Sequence, residues 1–252
     1  MKNNQSNQSK NISQRLVYIN GKYVPENEAK ISIFDSALMF GDMVFEMTRS
    51  FNKKQFKLKE HLERLLYGVK IYRIPLNLDI SDLEKICLET VERNDEFFVS
   101  TDEHRLMINV SRGPLGIYAP IFNNKIEPTV VVADFPLKWT VASMGKLYDE
   151  GVNAVLVNQR AIPAHLMDPK IKNRSRVFYQ MANIEASMFR GKNNWALMMD
   201  TDGFIAPDLT ILAEHISDSG ITEMSYQQEP QSILWCVRTD GILIGLTYAR
   251  NE

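Results

Sequence analysis

The chain has 252 residues, of which 44% are hydrophobic and 24% charged, a composition typical of globular proteins. A formal net charge of −2 argues against nucleic acid or an anionic membrane as a partner. The two cysteines, Cys87 and Cys236, stand among apolar neighbours without CxxC spacing, which argues against a disulfide framework and makes a cytoplasmic location the default. Residues 1–15 predict a flexible polar tail, because they lack the apolar core of a signal peptide, and no apolar run is long enough to span a bilayer.

Short strands and a helix are predicted in the first part of the chain. Asn20-Gly21 stands between two β-rich arms, which predicts a hairpin. The segments "KISIF" (residues 30–34) and "VFEMTRSF" (residues 44–51) predict further strands. Apolar residues at helical spacing then predict a helix with Leu62, Leu65, Leu66 and Val69 on its core face.

A second helix and two strands follow. Ser81 and Glu84 form an S-x-x-E capping box, which predicts the start of the helix. The alternation in "RLMINV" predicts a half-buried strand, and the continuous apolar run in "TVVVADF" predicts a central one. Pro136 interrupts this pattern, and we expect a linker over residues 135–145 between domains at residues 16–134 and 146–252.

The second half mixes strands and helices again. "GVNAVLV" predicts a buried strand, and Gly191 suits the end of the helix that follows. Asp202-Gly203 predicts a hairpin in "NWALMMDTDGFIA", "LTILAEHISDSGI" a helix, and "SILWCVRTDGILIG" a final hairpin. The helix before Gly191 carries one apolar stripe: Val177, Met181, Ile184 and Met188. Mixed strands and helices in two halves predict the α+β fold class.

Four basic residues precede this helix: Lys170, Lys172, Arg174 and Arg176. A helix N-terminus carries partial positive charge, so cations are out of place there unless they serve an anion or are solvated. Neighbouring positive charge also lowers the pKa of an amine, which makes a lysine a nucleophile towards carbonyls. The residues alone leave open whether Lys172 is a solvated surface charge or a reactive amine.

Three blocks in this order carry a resemblance to a known family. They are "YINGKYVPENEAKISIFDSALMFGDMVFEMTRSF", "FKLKEHLERL", and "IKNRSRVFYQMANIEA" followed by "ALMMDTDGFIA". The chain resembles the fold-type IV pyridoxal-phosphate enzymes, the class IV aminotransferases, which include branched-chain and D-amino-acid aminotransferases and aminodeoxychorismate lyase. The resemblance implies a two-domain fold, with a small N-terminal α/β domain and a larger C-terminal β-rich domain. It also implies pyridoxal 5'-phosphate as cofactor, with Lys172 as the Schiff-base lysine and proton shuttle.

The resemblance assigns further roles. Arg64 would hold the cofactor phosphate, the alternative being a helix-surface pair with Glu60. Phe40, Phe45 and Arg49 would line the substrate pocket, the alternative being plain core. We expect a structural role for His61. For two other arginines the sequence leaves two alternatives, binding of a substrate carboxylate or a solvated charge at a strand end: Arg105 and Arg112.

The sequence of the chain differs from the pattern of this family after "DGFIA". Pro207-Asp208 stands where a glutamate would pair with the pyridine nitrogen, and the C-terminal half is expected to be shortened. The implied activity is amino transfer from an amino acid to a 2-oxo acid, with a lyase or a non-catalytic binding protein as alternatives. The resemblance also implies a homodimer, for which "ALMF" (residues 37–40) and "GIYAPIF" (residues 116–122) are candidate surfaces.

Overall fold

The computed structural model describes residues 14–201, 203, 205, 221–227, 233–238 and 243–247. Helices and strands are mixed in this part of the chain, which confirms the α+β fold class. The chain divides into two compact units. Unit 1 comprises Met1–Ser143 with Lys170–Ser175, and unit 2 comprises Met144–Pro169 with Arg176–Glu252. No helix in the described ranges is long and apolar enough to cross a membrane.

Unit 1 is built on a six-stranded antiparallel sheet. Its strands are β1 (Leu16–Ile19), β2 (Lys22–Pro25), β3 (Met43–Phe51), β4 (Lys54–Gln55), β5 (His104–Ser111) and β6 (Thr129–Pro136). Their order is β2-β1-β6-β5-β3-β4, so "TVVVADF" forms an inner strand as predicted. The first hairpin is also confirmed, because Asn20 (φ 45°) and Gly21 (φ 83°) turn between β1 and β2 with the positive φ angles of a tight hairpin turn.

Helices cover one face of this sheet. They are α2 (Leu58–Ile71) and α3 (Ile80–Asn94). Two shorter helices are α1 (Ser36–Phe40), directly before β3, and α4 (Leu137–Met144), directly after β6. The predicted helix face is buried at Leu62, Leu65 and Val69, with Leu66 partly buried beside it. Side chains of β3 alternate between the two faces, so Val44 joins the helix-facing core while the next residue points to the other face.

Two local predictions in unit 1 are wrong. Residues 30–34 form no strand: Ile33 is 70% exposed in a turn that leads into α1. The helix α3 begins at Ile80, because Asp79 accepts a hydrogen bond from the backbone N–H of Asp82 and the Asp82 side chain accepts one in return. The capping box therefore exists, but it lies two residues before the Ser81–Glu84 pair.

The segment expected to be a linker, residues 135–145, is largely regular structure. It contains the last two residues of β6 and the whole of α4. Pro136 is compatible with the last position of the strand, since it cannot continue the ladder as a donor.

Unit 2 contains a parallel strand–helix–strand arrangement. Its elements are α5 (Leu147–Glu150), β7 (Asn153–Arg160), α6 (Val177–Ser187) and β8 (Asn194–Met199). β7 pairs in parallel with β8, and α6 packs on both through the buried Ala182 and Ala186. Three further strands form an antiparallel sheet in the order β11-β10-β9: β9 (Ile221–Gln227), β10 (Ile233–Arg238) and β11 (Leu243–Thr247).

Burial in unit 2 departs from the sequence prediction. The apolar stripe of α6 is the exposed face: Val177, Met181, Ile184 and Met188. The opposite face is buried because Ala182 and Ala186, one turn apart, let the helix lie close to the strands. β7 forms as predicted, but Val157 is the one position of the strand that is buried.

Two predicted hairpins are supported in different degrees. β10 and β11 pair antiparallel, which confirms the final hairpin. After β8, Gly203 donates to the carbonyl of Asp200 and Ile205 bridges back to Met199, as expected for a hairpin. Asp202, Pro207-Asp208 and residues 209–220 of the predicted helix lie outside the described residues, whereas Ile221, the last residue of that segment, begins β9.

Candidate active site

The basic segment Lys170–Ser175 belongs to unit 1 and pairs with β3 through an isolated β-bridge. The N–H of Phe45 donates to the carbonyl of Lys172 at 2.9 Å, and the N–H of Arg174 donates to the carbonyl of Met43 at 2.9 Å. Between them, Val44 and Asn173 form an antiparallel bridge. The segment is therefore held by the backbone ladder of a buried strand, which fixes the direction of its side chains.

Gly68 in α2 permits this arrangement. A Cβ atom at Gly68 would lie 3.1 Å from Cγ1 of Val44 and 3.4 Å from Cγ2 of Ile171. Helix α2, strand β3 and the basic segment thus meet at a point with space for a hydrogen atom but little more. Ile171 is buried in the same core, so the residue that precedes Lys172 anchors the segment.

Lys172 and Arg174 lie on the same side of this segment, over the ring of Phe45. The Nζ atom of Lys172 is 5.3 Å from the ring centroid, and Cζ of Arg174 is 3.7 Å from it. Arg174 also donates to Oδ1 of Asn109 at 2.9 Å. Two cationic groups therefore lie beside one aromatic ring, which makes this place electropositive.

The other two basic residues differ in position. Lys170 is exposed, while Lys172 is partly buried. Arg176 belongs to unit 2, where its guanidinium carbon lies 4.8 Å from the ring centroid of Tyr179. The partly buried amine is therefore the second lysine of "KIK", the position that the resemblance selects.

Arg64 is joined to a buried carboxylate that the sequence analysis did not single out. Its Nε donates to Oε1 of Glu46 at 2.5 Å, and its Nη2 donates to Oε2 at 2.9 Å. Nδ1 of His61 lies 2.9 Å from the same Oε2 atom. Burial raises the pKa of Glu46, but the hydrogen bonds from His61 and Arg64 outweigh it and hold the pKa below its ordinary value.

Lys172 and Arg64 approach β3 from different sides. Lys172 contacts Phe45, and Arg64 contacts Glu46, which is the next residue and therefore points to the opposite face. The two are nevertheless connected by α2, because Arg64 and Gly68 lie one turn apart on the helix and Ile171 packs at Gly68. The backbone positions of Arg64 and Gly68 thus lie about 6 Å apart along the helix axis.

The residues predicted for the substrate pocket are spread over one face of the sheet and α1. Phe45 is buried, whereas Phe40 is 67% exposed at the end of α1. Arg49 shares the face of Phe45, and its guanidinium carbon lies 3.9 Å from the ring centroid of Phe51. The exposure of Phe40 separates it from the buried ring of Phe45, and its role in the pocket stays a prediction.

Two arginines that the sequence left open have different environments. Arg105 lies directly opposite Arg49 in the β3–β5 register, and burial together with that charge lowers the pKa of Arg105. Like charges placed directly opposite each other in a sheet are destabilising. Arg112 is engaged structurally: it pairs with Asp42 at 2.7 Å and donates to two backbone carbonyls, those of Tyr72 and Arg73.

The donor set fits the cofactor that the resemblance implies. A primary amine suits a carbonyl carbon, and a guanidinium suits a phosphate. Both belong to unit 1 and are positioned by the same helix and strand. Lys172 and Arg64 are therefore the residues that would hold such a group.

Comparisons with known proteins show the family of the chain. Residues 43–207 match the sequence pattern of the family described as Amino-transferase class IV. A putative branched-chain-amino-acid aminotransferase of Methanocaldococcus jannaschii is 31% identical over 189 residues, which make up 75% of this chain and 61% of that protein. The chain thus spans less than two thirds of the length of this curated relative.

Solved structures of branched-chain amino acid aminotransferases are also similar to this chain. A branched-chain amino acid aminotransferase from the organism abbreviated T.th. aligns with a TM-score of 0.58 at 28% identity, over 77% of this chain and 61% of that one. A second T.th. structure, complexed with N-(5'-phosphopyridoxyl)-L-glutamate, aligns with a TM-score of 0.65 at 22% identity, over 95% of this chain and 90% of that one. The second likeness concerns the fold.

Proposed function

The chain belongs to the class IV aminotransferase family, and on that premise we propose that it is a pyridoxal-phosphate-dependent aminotransferase. It takes the amino group of an amino acid and gives it to a 2-oxo acid in a ping-pong reaction. The observation that carries this proposal is the partly buried Lys172, held by the β3 ladder against Phe45. Branched-chain amino acids are the first substrates to test, since the similar proteins carry that name.

Lys172 is proposed to bind the cofactor and to move the proton. Bound pyridoxal phosphate supplies an electron sink for the negative charge that develops at the substrate Cα. The Nζ atom of Lys172 would take the proton from Cα of the substrate and hold it for return, which is general acid–base work by one positioned amine. Backbone hydrogen bonds of Phe45 and Arg174 with the segment support this role, because they limit where the amine can move.

Arg64 is proposed to hold the cofactor phosphate. A guanidinium binds phosphate through two parallel N–H groups, and this geometry adds orientation to charge. The side chain of Arg64 is 26% exposed, so it reaches the surface of the helix layer while its partner Glu46 stays buried. His61 is proposed to have a structural role, because its Nδ1 donates a second hydrogen bond to Oε2 of Glu46.

The substrate is proposed to lie on the other face of β3. Phe45 forms an apolar surface beneath Lys172, and Arg49 with Arg105 supplies positive charge for a carboxylate. Phe40 is proposed as a further wall of the pocket. An amino acid with an apolar side chain and an α-carboxylate matches this combination of aromatic and cationic groups.

The proposal is tested with two matched lysine variants. The full chain is incubated with pyridoxal phosphate, reduced with borohydride, digested and mapped by mass spectrometry, and amino transfer from L-leucine to a 2-oxo acid is assayed in parallel. We expect the cofactor mass on Lys172 and loss of both label and activity in Lys172→Ala. Lys170→Ala should keep both. Equal loss from the two substitutions would remove the site assignment, and lyase products without amino transfer would favour the alternative reaction.

We also propose a homodimer that forms through an apolar surface of unit 1. No residue of the runs at residues 37–40 and Gly116–Phe122 is buried, and several of their apolar side chains are exposed. Phe34 contacts the rings of Tyr118 and Phe122 and so connects the second run to the entrance of α1. An exposed contiguous apolar patch of this kind is typical of a subunit interface. Its most exposed members are Leu38, Met39, Phe40, Ile117 and Ile121.

A further inference from the structure

We propose that Glu46 is a positioning residue whose buried carboxylate fixes the guanidinium of Arg64 in the orientation that receives the cofactor phosphate. The inference rests on the proposed function, because it assigns Glu46 a role only if Arg64 binds that phosphate. Glu46 itself does not touch the cofactor; it acts through Arg64.

The contacts of Glu46 define one orientation of its partner. Both carboxylate oxygens are used, Oε1 by Nε of Arg64 at 2.5 Å and Oε2 by Nη2 at 2.9 Å. Two parallel bonds between a planar fork and a carboxylate fix both the direction and the plane of the guanidinium. A single ion pair would leave the long side chain free to rotate about that contact.

The side chains of Glu46, Arg64 and His61 are exposed to different extents. The side chain of Glu46 is 0% exposed, whereas those of Arg64 and His61 are 26% and 24% exposed. The carboxylate lies inside and the two nitrogen-bearing groups lie between it and the surface. The anion is therefore hidden, while the cationic guanidinium that compensates it remains partly exposed, which is an arrangement compatible with an anionic ligand.

Helix α2 is registered on β3 by two neighbouring contacts. Gly68 lies over Val44, and one turn earlier Arg64 lies over Glu46, two residues further along the strand. Ile171 packs at the first of these contacts, directly before Lys172. The same helix–strand register thus places the guanidinium relative to the reactive amine, and Glu46 fixes its last degrees of freedom.

The expected benefit is preorganisation. A free arginine loses considerable rotamer freedom when it binds a ligand, and a fixed one has lost it already on folding. The charged form of the carboxylate is required, and the lowered pKa of Glu46 keeps it charged at neutral pH. A neutral amide of the same shape could accept a hydrogen bond from Arg64 but would hold its guanidinium less firmly.

The test compares two ligands that differ in the phosphate alone. The full chain, freed of cofactor, is titrated with pyridoxal 5'-phosphate and with pyridoxal, and the dissociation constants are followed by absorbance. The variants are Glu46→Gln, Arg64→Ala and the double variant, with Glu60→Gln as the matched control because Glu60 is an exposed acid on the same helix. Thermal unfolding is recorded for each protein.

We expect Glu46→Gln to raise the dissociation constant of pyridoxal 5'-phosphate about tenfold, because this is the effect of losing about one charge-assisted hydrogen bond. The dissociation constant of pyridoxal should not change. The double variant should bind no more weakly than Arg64→Ala, because Glu46 acts through Arg64. Glu60→Gln should match the parent protein. If Glu46→Gln does not fold, Glu46→Asp is used, since it keeps the charge and withdraws the carboxylate by one methylene group.

Three results would overturn the inference. A lower melting temperature in Glu46→Gln with an unchanged ratio of the two dissociation constants would mean that Glu46 is only structural. Losses in Glu46→Gln and Arg64→Ala that add in the double variant would mean that Glu46 acts independently. A parent protein that shows no preference for the phosphate ester would instead refute the proposed role of Arg64, on which the inference depends.

Discussion

A buried histidine in unit 1 provides a stability prediction that is independent of the active site. His104 at the start of β5 is fully buried, and its Nδ1 lies 2.8 Å from Oδ2 of Asp134. Its Nε2 lies 3.0 Å from Oδ1 of Asp95, and the ring of Phe98 stacks on it at 4.1 Å. Burial lowers the pKa of His104, but the hydrogen bonds and charges of the two aspartates outweigh this effect and the nearby charge of Lys53, so the pKa lies above its ordinary value.

The substitution His104→Leu removes one partner of a buried ion pair. Asp134 would keep a buried carboxylate whose Oδ1 atom already lacks a hydrogen-bond partner among the described residues. Removing one partner of such a pair costs about 3–5 kcal/mol, which corresponds to a decrease of roughly 6–20 °C in melting temperature for a chain of this size. Asp95→Asn is the control, because Asp95 is 56% exposed and a surface pair is worth about 0–1 kcal/mol.

Urea and thermal unfolding, followed by circular dichroism, measure both variants across pH. A raised pKa means that the contribution of His104 is complete below its ordinary value of 6.5 and is lost as pH rises through the pKa of the folded protein. The parent protein should therefore lose stability as pH rises above 6.5, and His104→Leu should lack that slope. Equal losses from His104→Leu and Asp95→Asn, or a parent protein with no such slope, would refute the reasoning.

Three further predictions concern the interface and the frame of the site. Phe40→Asp should convert the proposed dimer into a monomer in analytical ultracentrifugation, and an unchanged sedimentation coefficient would exclude this surface. Asp79→Ala should lower the free energy of unfolding by about 1 kcal/mol, because the reciprocal cap with Asp82 is lost; no change in urea titration would mean that the cap is not stabilising. Gly113→Ala should destabilise by more than about 2 kcal/mol, since its Cβ would lie 2.0 Å from the carbonyl oxygen of Glu127 at a φ of 84°, and thermal unfolding measures this loss.

Local chemistry made several elements predictable. The Asn20-Gly21 hairpin and the helix around Leu62 follow from residues that are close in the sequence, because turn geometry and helical spacing are local properties. The exposed stripe of α6 was not predictable in the same way. Apolar residues such as Val177 usually face a core, but close packing of Ala182 and Ala186 on the strands turned the helix the other way.

The sequence by itself determined Lys172 as the candidate reactive lysine. It also determined that Phe45 and Glu46 point to opposite faces of β3, because side chains in a strand alternate with a period of two residues. Only the tertiary structure decided what those faces meet. A charged residue within an apolar strand carries no local signal of its partners, and Glu46 finds Arg64 and His61 at separations of 18 and 15 residues. Lys172 reaches Phe45 across 127 positions of the chain, because backbone pairing joins segments that are distant in the sequence and α2 packs on both of them at Gly68.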